Sequence, residues 1–354
     1  MFDIRNSPTL DIRDFLLPGE SVDDGLTYSL QLYRPGSSGP LRVGSSPRVA
    51  LVFLHAISTH KETWLPLIER LFDIQATAHS SAVEIVEAWT LDLINHGRAG
   101  HINEHSLLMH PETFGGHQGG RMLRTFLDSG LVTSGTSIIA IGHSGGAVVT
   151  AFSTLGYSLR SLPFTRMIII EPAMMPRSVH AELFSEPTRM VTVMHATKSR
   201  KDIWPTRAAA REWLSKHSPW RDWHPRILNL FVDHGLRDLP TAKYPDLKTG
   251  VTLSCTRDQE SFSYSQFQDC VDGLERLEEL CTAIPVDCIL GGVASIVSRE
   301  MQQGVFDICR DKPTASVTVL EGAGHLVAQE DPDRLAATVW AAMNRQTCNP
   351  RNKL

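Results

Sequence analysis

The stretch "IIAIGHSGGAVVT", residues 138–150, decides how this chain is read. A run of β-branched and small apolar residues stops at Gly142-His143-Ser144-Gly145-Gly146 and passes directly into further small and apolar residues. That pattern predicts a strand turning sharply into a helix, with Ser144 at the turn. So tight a turn holds the serine at strained φ/ψ and leaves no room for a Cβ at position 142 or 146, which is why both are glycine. It also lifts the Ser144 hydroxyl to the N-terminus of the following helix, where free amides and the helix dipole favour developing negative charge.

A hydroxyl is a poor nucleophile at neutral pH and needs a base to take its proton. In the chain order Ser, acid, His that goes with such a turn, the base follows a late strand. "VTVLEGAGHLVAQEDPDRL" supplies a strand, a Gly-rich loop and His325, the only one of the 15 histidines at such a place. The acid usually follows the preceding strand, here "PVDCILGG", but the residues there are Val293-Ala294-Ser295-Ile296, none of which carries charge. Glu171, at the tip of "RMIIIE", is 27 positions after Ser144 and is the expected third member, placed to fix the imidazole tautomer and stabilise imidazolium. Asp287 and Asp258 are weaker rivals. Carbonyl chemistry further needs an oxyanion hole, expected from the Gly145 amide and from the Ile57 amide in the loop after "VALVFLHAIS", with Ala56 as the alternative to Ile57.

Outward from this centre, strand-like runs at 26–35, 48–56, 83–92, 137–142, 165–171, 285–292 and 315–322 alternate with helical stretches at 62–72, 119–130 and 145–157, and a last helix follows Pro332. The expectation is an α/β chain with a mostly parallel, doubly wound sheet. After the run at 165–171 the pattern breaks. Residues 173–284 are rich in Trp and Arg and in helix-period segments, with "GVTLSCT" the one strand-like run, and read as an inserted helical cap. The expected division is therefore core 1–172, cap 173–284 and core 285–354.

Composition excludes several classes. With 42% hydrophobic and 21% charged residues and a net charge of −5, nothing predicts nucleic-acid binding. The N-terminus lacks the continuous apolar core of a secretory signal. No run of about 18 apolar residues exists to span a bilayer. Six cysteines without a Cys-x-x-Cys pair read as plain thiols in a reducing compartment. His96, His101, His105, His110 and His117 crowd one segment, 95–118. Although His101 and His105 have zinc-compatible spacing, no Glu follows the first, and the segment reads as a polar loop at the pocket mouth, with no metal or cofactor expected. The C-terminal Asn352-Lys353-Leu354 is close to a peroxisomal address, apart from its Asn, and would engage the peroxisomal import receptor; otherwise a cytoplasmic protein is expected.

From Lys198 to Arg226 eight basic side chains face three acids, with Trp204, Trp213, Trp220 and Trp223 interleaved. Such a surface suits the phosphates and adenine of coenzyme A, with Arg207, Arg211, Trp204 and, from the oxyanion loop, His55 as candidate contacts. A solvated cap face with the Trp side chains turned to the core is the competing reading.

GHSGG, the HAIS loop, "LDLINHGRAG" and "GAGHLVAQEDPDRL" together resemble the α/β-hydrolase superfamily over nearly the whole chain. More narrowly, the acid after strand six, "RKDIWPTRAAAREWL", "DHGLRDLP" and the Lys-Leu ending are similar to a fungal group of toxin and secondary-metabolite biosynthesis hydrolases that includes a peroxisomal acyl-CoA hydrolase. The resemblance implies an α/β-hydrolase fold, a Ser144, Glu171, His325 triad, and cleavage of an ester or thioester such as a polyketide-derived acyl-CoA. A lactonase, acyltransferase or cyclase would use the same acyl-enzyme. A non-catalytic binding protein on this fold would be expected to lack one of the three groups.

Overall fold

The computed structural model describes residues 10–20, 25–36, 46–110, 115–182 and 189–346. The C-terminal tripeptide singled out above lies outside them.

Eight strands form the central sheet. They are β1 (Leu10–Pro18), β2 (Thr27–Pro35), β3 (Arg48–Leu54), β4 (Glu84–Leu91), β5 (Ser137–His143), β6 (Arg166–Ile170) and, beyond the interruption, β10 (Val286–Gly291) and β11 (Ala315–Leu320). Their spatial order is β1-β2-β4-β3-β5-β6-β10-β11. β1 and β2 pair antiparallel, as do β2 and β4, and every later neighbour pair is parallel. The inner strands are mostly apolar because helices cover both faces of the sheet.

Side-chain alternation assigns the two faces. Val49, Leu51, Phe53, Ile139, Ile141, Ile168 and Ile170 point into one cluster with Leu67, Ile68 and Leu71 of helix Leu65–Thr77 and Leu335 and Val339 of helix Pro332–Asn344. The intervening Val52, Leu54, Ala140, Met167 and Ile169 point into the other, with helices Gly116–Asp128, Gly145–Phe152 and Phe267–Leu280. β1, at one edge, is only half covered, and its weak alternation hid it from the sequence pattern.

Two sequence expectations need correction. The segment 95–118 is largely helical, with helices at Gly97–Ile102 and Glu104–Met109 and a third starting at Gly116. Gly97, at φ +52, packs so closely on Asp92 that a Cβ would lie 2.4 Å from Asp92 Oδ1, and Asp92 Oδ2 accepts from the Arg98 amide. These contacts, invisible in composition, begin the first helix. Helix Phe267–Leu280, assigned to the cap from sequence, instead buries Leu274, Leu277 and Leu280 in the sheet's core, so the core resumes near residue 267.

Between β6 and that helix lie short helices, among them Arg189–Ser199, Arg207–Leu214, Pro225–Leu230 and Arg257–Tyr264. A small antiparallel sheet accompanies them, in the order β7 (Ile203–Trp204), β9 (Val251–Leu253), β8 (Leu236–Asp238). β9 lies within the run "GVTLSCT", whereas β7 and β8, of two and three residues, carry too little periodicity to be read from sequence. Among the described residues no helix is long and apolar enough to cross a membrane.

Candidate active site

β5 delivers Ser144 to the centre of the sheet's carboxyl edge, with φ 56° and ψ −120°. A Cβ on Gly146 would sit 2.4 Å from the Leu54 carbonyl oxygen, and one on Gly142 2.7 Å from the Ala147 Cα. The turn therefore exists only with glycine at both places. β6 lies beside β5 in parallel register, His143 opposite Ile170, so Glu171 emerges next to Ser144. Glu171 is itself left-handed, at φ 42°. His325 comes from the loop after β11.

These three side chains form one hydrogen-bonded chain. His325 Nε2 is 2.9 Å from Ser144 Oγ, and His325 Nδ1 is 3.1 Å from Glu171 Oε2. Ser144 and His325 are each 4% exposed and Glu171 is fully buried, so their hydrogen bonds act with little competition from water. The second carboxylate oxygen, Glu171 Oε1, accepts from the Gly291 amide at 2.5 Å and from Gln302 Nε2 at 3.0 Å. With Oε1 so occupied, Oε2 is left to orient the imidazole.

Sequence reasoning missed the groups around this chain. Gln302 is held by the Gly291 carbonyl at 2.9 Å and by Arg299 Nη1 at 2.9 Å. Ser295, in the segment where the acid was absent, accepts the His325 amide at 3.1 Å. His143 donates from Nε2 to the His325 carbonyl at 2.8 Å, and burial holds its ring neutral, pushing its pKa down to about 3. The segment after β10 thus supports His325 through its backbone and reaches Glu171 through Gln302. Its only advance signal was the lack of a carboxylate.

The two oxyanion candidates, Gly145 and Ile57, lie against each other at the serine turn. Gly145 is the first residue of its helix, so its N–H has no intrahelical acceptor. In the loop after β3 the Ser58 amide donates to His96 Nε2 and the Thr59 amide to the Ala56 carbonyl. Ile57 packs on Gly145, its Cγ1 3.0 Å from where a Cβ there would be, while Ala56 is buried away from the cavities. The loop is braced from beneath. His55 Nδ1 donates to the Ala56 carbonyl, Nε2 accepts from the Leu93 amide, and burial pushes the His55 pKa down to about 4. Ser58, at φ 73°, donates to Glu260, which pairs with Arg200.

Two cavities meet at Ile57. The larger, about 540 Å³, lies under the cap against His325 and is walled by Trp213, Trp220, Trp223 and Arg200. The smaller, about 70 Å³, runs past Gly145 between helices Gly116–Asp128 and Gly145–Phe152.

Several candidates from sequence fall elsewhere. Arg207 binds the Val232 and Leu236 carbonyls and Asp238, and Arg211 binds Asn229. Trp204 is 1% exposed in the apolar core, and neither it nor His55 lines either of the two cavities. None of Arg207, Arg211, Trp204 and His55 lines either cavity, so the geometry does not bring the expected coenzyme contacts to Ser144. Asp287 pairs with Arg166 and Arg345 at the opposite edge of the sheet, and Asp258 pairs with Lys243, which leaves Glu171 as the carboxylate on His325.

A mostly parallel eight-stranded sheet with a serine turn at its centre and a helical insertion above its carboxyl edge is the architecture of the α/β-hydrolases. This chain belongs to the alpha/beta hydrolase family, whose sequence profile matches residues 51–338. It is 25% identical over 274 residues to the type I acyl-CoA thioesterase mpaH' of Penicillium brevicompactum, covering 75% of this chain and 58% of that protein. Against the type I acyl-CoA thioesterase mpaH of Penicillium roqueforti it is 26% identical over 248 residues, covering 67% and 50%. The chain thus spans between half and about three fifths of the length of these curated relatives. The peroxisomal α/β-hydrolase Lpx1 of Saccharomyces cerevisiae superposes with a TM-score of 0.73 at 16% identity, over 97% of this chain and 92% of that one.

Proposed function

We propose that this protein hydrolyses an acyl thioester of the acyl-CoA type through a Ser144–His325–Glu171 triad. The observation that carries the reading is the continuous hydrogen-bonded path from Ser144 Oγ through both ring nitrogens of His325 to Glu171. The thioester class rests on the two acyl-CoA thioesterases to which the chain is similar.

Ser144 Oγ attacks the acyl carbon as His325 Nε2 takes its proton. Glu171 Oε2 holds the Nδ1–H and stabilises the imidazolium. The carbonyl oxygen, now negative, is received by the Gly145 and Ile57 amides at the start of the helix. Collapse breaks the bond to the leaving sulfur, which takes its proton from Nε2, and the acyl group stays on Ser144. Water, deprotonated by the same nitrogen, then releases the acid by the reverse geometry.

Release of free thiol from a panel of short-chain, medium-chain and aromatic acyl-CoAs, wild type beside Ser144→Ala, tests this. Thiol release that depends on Ser144 is expected. Cleavage of simple esters without thiol release would move the substrate to a carboxylester or lactone, and resistance of Ser144 to fluorophosphonate labelling would point to a binding protein.

A further inference from the structure

The two cavities that meet at Ile57 are unequal, and the candidate site is asymmetric between them. His325, with Gly324 and Leu326, lines the cavity of about 540 Å³ and is absent from the walls of the other. Gly145 lines only the cavity of about 70 Å³. Ile57, which carries one oxyanion amide, lines both.

Proton delivery decides which half of a substrate goes where. The nitrogen that takes the Ser144 proton must hand it to the departing atom, so that atom has to come within hydrogen-bond reach of His325 Nε2. A leaving group so placed extends along the wall that His325 forms, into the large cavity. The acyl group must then extend away from His325, past Gly145.

We propose that the substrate divides at its scissile bond between these cavities, with a short acyl group in the small one and a bulky leaving group in the large one. This rests on the hydrolase reading above and adds the substrate's shape to it. The small cavity is bounded by Val148, Val149 and Ala173 and is narrow because its helices nearly touch: a Cβ on Gly119 would lie 2.6 Å from Val149 Cγ2. Its far end is polar, where Asp269 accepts the Gly116 amide at 2.6 Å. That carboxylate disfavours an acyl group ending in a negative charge. The large cavity, with Trp213, Trp220 and Trp223 on one side and the Arg200–Glu260 pair on another, accommodates a long thiol of mixed polarity. In the acylation step the Ser144 Oγ–carbon bond forms and the carbon–sulfur bond breaks, the serine proton ending on the sulfur through His325.

The test uses two thioester series. One varies the acyl group from acetyl to decanoyl on coenzyme A, and the other keeps acetyl and varies the thiol from methanethiol to coenzyme A. Ala173→Leu, and Ser263→Phe at the half-buried rim of the same cavity, fill the small side; Ala196→Trp, on an exposed helix position, fills the large one. The small-side variants are expected to lower kcat/KM for acyl groups longer than acetyl by about tenfold or more relative to acetyl, and by the same ratio whatever the thiol. Ala196→Trp is expected to discriminate against the bulky thiol by a similar factor and to be indifferent to acyl length. The reverse pattern, in an active wild type, overturns the division and leaves the hydrolase reading intact. A folded wild type that cleaves neither series in a Ser144-dependent way overturns both.

Discussion

Gln302 donates a side-chain N–H to Glu171 at 3.0 Å, on the carboxylate oxygen that faces away from His325. A fully buried carboxylate bonded to a histidine through one oxygen depends on donors to the other to stay in place, since an unpaired buried charge is costly.

Gln302→Leu is therefore expected to lower kcat by about tenfold, the scale of one hydrogen bond to a charged group, with KM little changed. Gln302→Glu sets a second carboxylate against Glu171 and should be more damaging. Steady-state kinetics on one thioester, with a thermal melt to confirm folding, read both. Loss confined to KM would assign Gln302 to substrate binding instead.

Removal of the proposed nucleophile or base should be far more severe. Ser144→Ala and His325→Ala are expected to lose on the order of 10⁴-fold or more in kcat, and the double variant scarcely more than either, because the groups act as a unit. Glu171→Gln should be similarly impaired. Fluorophosphonate labelling, rapid in the wild type and absent in His325→Ala, gives a readout independent of substrate choice.

The Arg200–Glu260 pair joins the cap to the oxyanion loop through Ser58. Glu260 is 1% exposed, and its neutralisation in Glu260→Gln leaves the largely buried Arg200 without its counter-charge. The expected cost is about 3 kcal/mol of stability, seen as a lower midpoint in urea denaturation. Activity should fall as well, because Ile57 is carried by the same loop. Unchanged stability would mean that Arg200 finds water or another partner.

Stability should also depend on acidity below neutrality. His55 and His143 are held neutral by burial, with pKa values pushed down to about 4 and about 3, whereas unfolded histidine titrates near 6.5. Between these limits the unfolded chain binds the extra protons. The stability present above pH 6.5 is therefore lost as pH falls toward 4, by about 1.4 kcal/mol per pH unit for each histidine. Melting temperatures from pH 7 to pH 4 check the slope, and His143→Gln should make it shallower.

Much of this was legible in the sequence because its causes are local. The Ser144 turn needs glycines at fixed offsets, and the buried parallel strands need unbroken apolar runs, so "IIAIGHSGG" and "RMIIIE" announced β5, β6 and the serine and carboxylate at their ends. His325 followed from its strand and Gly-rich loop. The unread parts depend on contacts between distant segments. Gln302 meets Glu171 across 131 positions, and nothing near either residue marks the pairing. Arg207 and Trp204 looked like ligand contacts by type, but their environment is set by how the insertion folds on itself, beyond the reach of composition.

The carboxylate's position on β6 has a consequence for how this architecture can diversify. Ser144 and Glu171 are carried by hydrogen-bonded neighbouring strands, and both precede the inserted segment in the chain. Were the acid after β10, the insertion would separate it from the serine, and any change there would have to preserve their distance through a hundred intervening residues. Here the spacing of those two groups is settled before the insertion begins. The segment above them can be lengthened or reshaped so long as Glu260 keeps its hold on Ser58 and the approach of His325, Gly291 and Gln302 stays in alignment, so much of substrate preference can vary on a separate stretch of the gene from the reaction chemistry.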